Sequence, residues 1–289
     1  MIAYLYLGRV DYAEGLRLQA EITALRLAGR VDNVLLLLEH PPVLTLGRNA
    51  TRANILASDE MLASRGVAVH EINRGGDVTY HGPGQLVGYP IFDLRSLRNQ
   101  SGARLGPVDF VRRMEEALIR VCGVYGVRAG RIAGLTGVWC PADGRPLDES
   151  FASVRAGKIG AIGIHVSRGV TSHGFAFNVT TDLSDFQLIN PCGITDRPVT
   201  SLAREVGDPA SLPSLEAIAH QAARQFGSVF GEQVLAVESL DNLRAQAATR
   251  SAAVDEPASS FPQDTPLQIP REVDRLLDPR SLGDRPIRA

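Results

Sequence analysis

Two rhythms of apolar and polar residues alternate along this chain. Residues 1–7 read as a strand, and 67–72 alternate with the period of two that a half-buried strand shows. Val34-Leu35-Leu36-Leu37-Leu38, within 33–39, is a continuous apolar run short enough for a buried strand, and His40-Pro41-Pro42 ends it. Residues 43–47 and 85–93 read as further strands. Helical spacing appears over 11–29, where Leu16, Ile22 and Leu25 recur and Gly29 is the stop. It returns briefly after the cap Ser58-Asp59, as far as Arg65. The clearest helix spans 108–123, with Val111, Met114, Leu118, Val121 and Cys122 on one face. The last is 214–230, with Leu215, Ile218, Ala222, Phe226 and Val229 on one stripe. Residues 131–139 give a weaker strand pattern. Residues 158–166 and 170–179 read as two strands joined by Ser167-Arg168-Gly169, a hairpin. Residues 73–84 read as a glycine-rich loop, 141–149 as a polar loop and 181–193 as irregular.

These elements do not follow a regular βαβ rhythm. The expected fold is therefore α+β, a mixed or antiparallel sheet flanked by helices. The character of the chain changes after Gly231, and 242–289 is rich in Arg, Asp, Ala, Ser and Pro. Such a segment buries too little surface to offset the entropy of ordering it. The division expected is one folded domain over 1–232 and a largely disordered extension over 233–289, with 271–277 a candidate short helix.

Composition narrows the class. The chain has 289 residues, 44 % of them hydrophobic and 21 % charged, with a net charge of −2. That balance implies no general attraction to nucleic acid or to an anionic membrane. No segment approaches the roughly 18 apolar residues of a membrane helix, and the opening residues lack the pattern of a signal peptide. A cytoplasmic protein is expected. The three cysteines, Cys122, Cys140 and Cys192, have no paired spacing, which argues against a disulfide framework and against a zinc cluster.

Three stretches carry candidate chemistry. Arg74-Gly75-Gly76-Asp77-Val78-Thr79-Tyr80-His81-Gly82-Pro83-Gly84-Gln85 holds four glycines in twelve residues, so backbone can approach a ligand closely there. Exposed amides in such a turn can cradle a carboxylate, a phosphate or a carbonyl oxygen, and Arg74, Thr79 and His81 add donors. It is neither a P-loop nor a dinucleotide fingerprint. Arg74 has two readings, binding a carboxylate or pinning the loop, and His81 likewise binds substrate or braces the turn. In the second stretch Lys158 opens a strand of small residues, Gly160, Ala161 and Gly163, and the next strand repeats this with Gly174 and Ala176; an alkyl chain could lie there. In the third, Asn190-Pro191-Cys192-Gly193 puts a thiol in a turn, a poor place for a core cysteine and a good one for an exposed nucleophile.

Together these residues resemble the lipoyl(octanoyl) transferases, the octanoyl-[acyl-carrier-protein]:protein octanoyltransferases of lipoate biosynthesis. The resemblance runs from about residue 33 to 230 and includes Glu39-His40-Pro41-Pro42, the whole 74–89 signature, 158–179 and 190–194. His165 stands where that family more often has a basic residue, and Gly160 where it more often has alanine. The resemblance implies a biotin/lipoate protein ligase-like catalytic domain. It implies Cys192 as the acyl-thioester carrier and Lys158 as the residue that lowers its pKa. Substrate contacts carried over are Arg74, Gly75, Gly76, Asp77, Val78, Thr79, Tyr80 and His81, then Ala161, Ile162 and Gly163, then Gly174, Phe175 and Ala176. The donor implied is octanoyl-acyl carrier protein. The acceptors are lipoyl domains of 2-oxoacid dehydrogenase complexes and the glycine-cleavage carrier protein. No metal or other cofactor is implied, and nothing demands more than a monomer. Three alternatives stand beside this reading: an ATP-dependent lipoate or biotin ligase on the same fold, a thioesterase, and a non-catalytic module that binds lipoyl domains.

Overall fold

The computed structural model describes residues 1–99, 101–141, 156–190 and 197–250. Strand β1 (Ile2–Arg9) leads into helix α1 (Tyr12–Leu27), whose first turn is capped by the Asp11 carboxylate accepting from the Ala13 amide. The all-apolar run is β2 (Asn33–Glu39), and β3 (Val43–Leu46) follows the two prolines. Ser58 caps α2 (Asp59–Ser64) by accepting from the Met61 amide, and β4 (Ala68–Glu71), β5 (Val78–His81) and β6 (Gln85–Ile91) come next. Then come α3 (Pro107–Val124), β7 (Gly130–Ile132), β8 (Leu135–Pro141), β9 (Ala156–Ser167) and β10 (Val170–Asn178). A short α4 (Leu202–Val206) precedes α5 (Leu215–Phe230), which is closed by Gly231 in a left-handed conformation at φ 69°. The described chain ends with β11 (Val234–Ala236) and α6 (Leu240–Thr249).

Eight strands form one mixed sheet in the order β11-β1-β2-β6-β10-β9-β8-β7, and β4-β3-β5 form a second, smaller sheet. β1 runs parallel to β2 and β11, and the pairs from β2–β6 through β7–β8 are antiparallel. Both faces of the large sheet are covered. Leu35 and Leu37 of β2 pack into a core with α3 and α5, while Val34, Leu36 and Leu38 pack with α1 and α6. A strand buried on both faces needs no polar alternation, which is why β2 is apolar throughout. Phe226 of α5 anchors the first core, stacked on Phe175 at 5.5 Å and on Phe230 at 5.7 Å between ring centroids.

The expected fold class matches this architecture, and three local expectations change. Residues 78–81 are not loop: β5 pairs with β3, with Thr79 opposite Thr45 and His81 opposite Val43. Within 181–193, Leu183–Leu188 forms a 3-10 helix started by the Asp182 side chain. The third change is the domain boundary at 232. β11 pairs with β1, and Val237, Leu243 and Ala247 are buried in the core under α1. The short spacing of these apolar residues, diluted by Glu238, Asp241 and Arg244, hid an amphipathic helix in polar surroundings. Residues 142–149 of the polar loop and the candidate helix at 271–277 lie outside the described residues.

Burial of Val237 and Leu243 contributes at least about 2 kcal/mol, which in a domain of this size corresponds to about 4–8 °C. A chain ending at 232 should therefore unfold at least about 4 °C below a chain ending at 250 in matched thermal denaturation; equal melting temperatures would show that β11 and α6 add nothing.

Candidate active site

The site begins with a break in the alternation of β9. Val138 of β8 pairs with Gly160, but the next residue, Trp139, pairs with Lys158, so Ile159 is an extra residue in the ladder. Ile159 is fully buried in the core built with α3 and α5. A Cβ on Gly160 would also point that way, 3.3 Å from Val138 and 3.4 Å from Leu118 of α3. Two successive residues thus face the helices, and Lys158 is thrown to the opposite face with Ala161 and Gly163. Unbroken alternation would have sent Lys158 toward the helices with Gly160.

That opposite face floors a cavity of about 80 Å³. Its floor is made of directly paired small residues, Ala161 opposite Ala176 and Gly163 opposite Gly174. Ile162, Phe175, His173, Ile159 and Lys158 also border it, and Arg74, Gly76, Asp77, Val78, Thr79 and His81 close it from the smaller sheet. Of the fourteen substrate-contact residues expected, twelve line this cavity. Gly75 and Tyr80 do not. Gly160, expected among the small residues of an alkyl slot, faces α3 instead. Gly163 has a second duty, because a Cβ there would stand 2.6 Å from the Gly75 carbonyl oxygen. Gly75 in turn donates its amide to the Ile164 carbonyl at 3.0 Å, so this glycine pair lets the 74–77 loop dock on β9.

The loop is held from the other side as well. The Arg48 amide donates to the Arg74 carbonyl at 3.0 Å and the Gly47 amide to the Asp77 carbonyl at 3.2 Å. The Arg74 guanidinium turns onto the protein: Nη2 donates to the Thr45 carbonyl at 2.8 Å and to Thr45 Oγ1 at 3.0 Å, and Nη1 donates to the Gly75 carbonyl at 3.0 Å. Of its two readings, these contacts are those of a loop pin whose edge reaches the cavity. Asp77 accepts from the Val78 amide at 2.7 Å and from Asn54 Nδ2 at 2.6 Å, which fixes the turn into β5. Tyr80 points away from the cavity and donates to Asp185 Oδ2 at 2.7 Å, bracing the 3-10 helix against the small sheet; burial and that carboxylate push its phenol pKa up.

A buried polar chain runs behind the cavity. Gln85 Nε2 donates to Asn178 Oδ1 at 2.9 Å and to the Tyr80 carbonyl at 3.1 Å, so Gln85 Oε1 is left to accept from His81 Nδ1 at 2.8 Å. Neutral His81 therefore carries its proton on Nδ1 and presents a lone pair at Nε2, 3.5 Å from Thr45 Oγ1. Asn178 Nδ2 donates to the Thr200 carbonyl at 3.0 Å, and the Thr200 amide donates to the Lys158 carbonyl at 3.0 Å. Burial pushes His81 down to about 3, helped by neighbouring His40. His40, bonded to Tyr89 and to the Val10 carbonyl, is pushed down to about 4 by burial. His173 is also lowered to about 4 by burial, with Arg74 adding to the effect. It adopts φ 56°, and its amide donates to Gln19 Oε1 at 2.7 Å.

Cys192, the expected nucleophile, lies outside the described residues. The chain on either side of segment 191–196 is hydrogen-bonded to described residues, and Val199 borders the cavity. The Asn190 amide donates to the Asn54 carbonyl at 2.7 Å, and the Lys158 amide donates to the Pro198 carbonyl at 2.9 Å. Cys122 and Cys140 are fully buried in or beside α3's core, and a hydrogen bond with Cys140 together with burial pushes the Cys122 thiol pKa well up. Neither is poised as a nucleophile. Sequence reasoning missed Tyr12, Tyr89, His173, Asn178, Phe186 and Val199 of the cavity wall. Asn178 had a legible signal, a polar residue closing the apolar run Phe175-Ala176-Phe177. Tyr12 and Val199 had none, since long-range packing alone brings them there.

Comparison with known proteins adds the relationship. Residues 11–227 match the family described as lipoyl protein ligase A/B catalytic domain. The chain is 61 % identical over 247 residues to a protein of Acidobacterium capsulatum named octanoyltransferase, covering 85 % of this chain and 96 % of that one. A Koribacter versatilis protein of the same name is 49 % identical over 276 residues, covering 96 % and 97 %. Among solved structures, a bipartite lipoate protein ligase from Thermoplasma acidophilum superposes with a TM-score of 0.61 at 16 % identity, covering 86 % of this chain and 91 % of that one. A lipoate-protein ligase A bound with ATP gives 0.60 at 16 % identity, covering 86 % and 93 %. At that identity the likeness is one of fold.

The three buried rings set a pH dependence. Each is neutral when folded and titrates near its ordinary 6.5 when unfolded. The unfolded chain thus binds more protons below about 6.5, and stability falls as pH drops through that window. Unfolding at pH 5 should take up about three protons from these rings, against well under one at about pH 7.5. Melting temperature measured from pH 7.5 to 5, above the range of most carboxylates, should fall continuously; a flat profile would show the rings charged or hydrated in the native state.

Proposed function

Because the chain belongs to the lipoyl protein ligase A/B catalytic domain family, whose close relatives here are octanoyltransferases, we propose that it moves an octanoyl group from acyl carrier protein to a lysine of lipoyl domains, through a thioester on Cys192. The chemistry is acyl transfer, and the donor and acceptors are those the resemblance implied: octanoyl-acyl carrier protein, lipoyl domains of 2-oxoacid dehydrogenase complexes, and the glycine-cleavage carrier protein. None of the helices among the described residues is long and apolar enough to cross a membrane; a cytoplasmic site of action is part of the proposal.

The observation that carries the reading is the position of Lys158. The bulge turns it onto a floor of small residues, and its own backbone pairs with Pro198 and Thr200, just past the segment that bears Cys192. A free thiol with a pKa of about 8.5 is only about 3 % thiolate at pH 7. An ammonium about 4 Å away supplies about 4 kcal/mol at an effective dielectric of about 20, and about 2 kcal/mol suffices to bring the thiol near neutrality. The other two cysteines are buried, which leaves Cys192 as the nucleophile of this reading.

The Cys192 thiolate attacks the thioester carbonyl of the donor. The carbon–sulfur bond to the carrier breaks, the carrier sulfur leaves as a thiol with the proton of the Lys158 ammonium, and an acyl-enzyme with a neutral Lys158 remains. The acceptor lysine then attacks as a neutral amine, the Cys192 carbon–sulfur bond breaks, and an amide forms. Lys158, neutral at that step, takes the proton that the new amide sheds. Thioester exchange is near neutral in energy and amide formation is downhill, so no nucleotide is consumed. Burial of the octanoyl chain contributes about 5 kcal/mol at about 0.8 kcal/mol per methylene, on the surface of Ala161, Ala176, Ile162 and Phe175.

Mixed with octanoyl carrier protein and an apo lipoyl domain without ATP, the protein should show octanoyl by mass spectrometry first on Cys192 and then on the acceptor lysine. Cys192→Ala should show neither, and Lys158→Ala should slow the first step at least about tenfold, as loss of about 1.4 kcal/mol or more requires. Acylation that needs ATP and free octanoate would instead identify a ligase. Chain-length preference gives a second test. Ala161→Leu should favour donors shorter than octanoyl, whereas Gly163→Ala, which meets the Gly75 backbone, should lower activity with all chain lengths alike. An unchanged profile in Ala161→Leu would remove these residues from the acyl slot.

A further inference from the structure

Lys158 has neighbours that the reaction does not use. Trp139 is its cross-strand partner in the β8–β9 pair, so the two side chains stand side by side on one face. The indole is 1 % exposed, and Lys158 Nζ lies 5.1 Å from its ring centroid. The guanidinium carbon of Arg197 lies 5.9 Å from the same centroid. Arg197 is the first described residue after segment 191–196, which carries Cys192. One indole therefore holds Lys158 and the downstream flank of the nucleophile's segment.

Behind the lysine lies Gly137. Its φ is 126°, and a Cβ there would stand 2.7 Å from Lys158 Cε and 2.6 Å from the Gly160 carbonyl oxygen. The lysine stem runs over bare backbone at the bulge. That backbone is fixed by a side chain from α3: the Gly137 amide donates to Glu115 Oε1 at 3.0 Å. Glu115 is fully buried, and its Oε2 accepts from Arg112 at 2.7 Å and from Arg131 at 3.0 Å. A carboxylate at the centre of a core is costly unless paired and hydrogen-bonded, and every partner here holds it toward Gly137.

We infer that Trp139 and Glu115 are positioning residues for Lys158: the indole face holds the ammonium, and the buried carboxylate holds the Gly137 backbone that seats the lysine stem. The inference rests on the reading of Lys158 as the cation that ionises Cys192. A lysine has four freely rotating bonds, and its attraction for a thiolate falls inversely with distance. An ammonium that wanders gives a weakly ionised thiol; one held between an aromatic face and a fixed backbone gives a strongly ionised one.

The test is the pH profile of Cys192 alkylation by iodoacetamide, read at that residue by mass spectrometry, with thermal unfolding measured on each variant. The wild type should alkylate with a midpoint below that of an ordinary thiol, and Lys158→Ala should return it to the ordinary range. Trp139→Leu should slow alkylation at pH 7 by about two- to thirtyfold, the span of a cation–π contact, and raise the midpoint. Trp139→Phe, which keeps an aromatic face, should recover part of the loss. Glu115→Met, which keeps the volume and removes the acceptor, should raise the midpoint as Trp139→Leu does. If Lys158→Ala leaves the profile unchanged, the activation reading itself fails. If Lys158→Ala shifts it while folded Trp139→Leu and Glu115→Met match the wild type, the positioning inference alone is overturned. Should Trp139→Leu fail to fold, the emission of Trp139 decides, since it is the sole tryptophan of the chain. Lys158→Met must alter that emission at pH 7, and an unaltered spectrum overturns the inference.

Discussion

One extra residue in β9 governs the geometry of the site. Side chains on a strand alternate between faces, so the insertion of Ile159 into the ladder reverses the face of everything on one side of it. Ile159 and Gly160 both face the helices, which keeps the core of α3 and α5 closed. Lys158 consequently shares a face with Ala161, Gly163 and their partners across β10. A core requirement and a site requirement are met by the same irregularity. The opposing strand adapts to it, with Gly137 at positive φ and its amide taken up by a buried carboxylate instead of a ladder partner.

The second constraint is close approach between backbones. The 74–77 loop touches β9 through Gly75 and Gly163 and touches the end of β3 through Gly47, the residue that follows it, at distances no Cβ would allow. Arg74 locks that arrangement onto Thr45, and the neutral rings of His40, His81 and His173 fill the space between the two sheets without bringing charge into it. Of these rings His81 and His173 border the cavity, and on the proposed function their neutrality spares an alkyl chain there the water a charged ring would hold. The polar chain from His81 through Gln85 and Asn178 to Thr200 joins this wall to the strand that carries Lys158.

Most of the elements were legible because their causes are local. The run of β2, the Ser58 cap and the hairpin at Ser167-Arg168-Gly169 follow from residues adjacent in sequence. What was not legible depends on contacts between distant residues. β5 looked like loop because its glycine-rich neighbours masked four residues whose partner, β3, lies more than thirty positions earlier. α6 looked like tail because only Leu243 and Ala247 of its turns are buried. The face of Lys158 could not be read at all, since strict alternation assigns it to the wrong side. Glu115 offered a faint signal, an acidic residue beside Met114 and Leu118 on the otherwise apolar stripe of α3.

The account stands on an ammonium and a sulfur meeting at this face of β9. A crystal structure of the protein carrying a stable octanoyl adduct on Cys192 tests that meeting most directly. Lys158 Nζ should lie within about 4–6 Å of the sulfur, the range over which an opposite charge controls ionisation, with the acyl chain running over Ala161 and Ala176. A sulfur on the far side of the sheet, or an acyl chain outside this cavity with Lys158 still seated on Trp139, would contradict it.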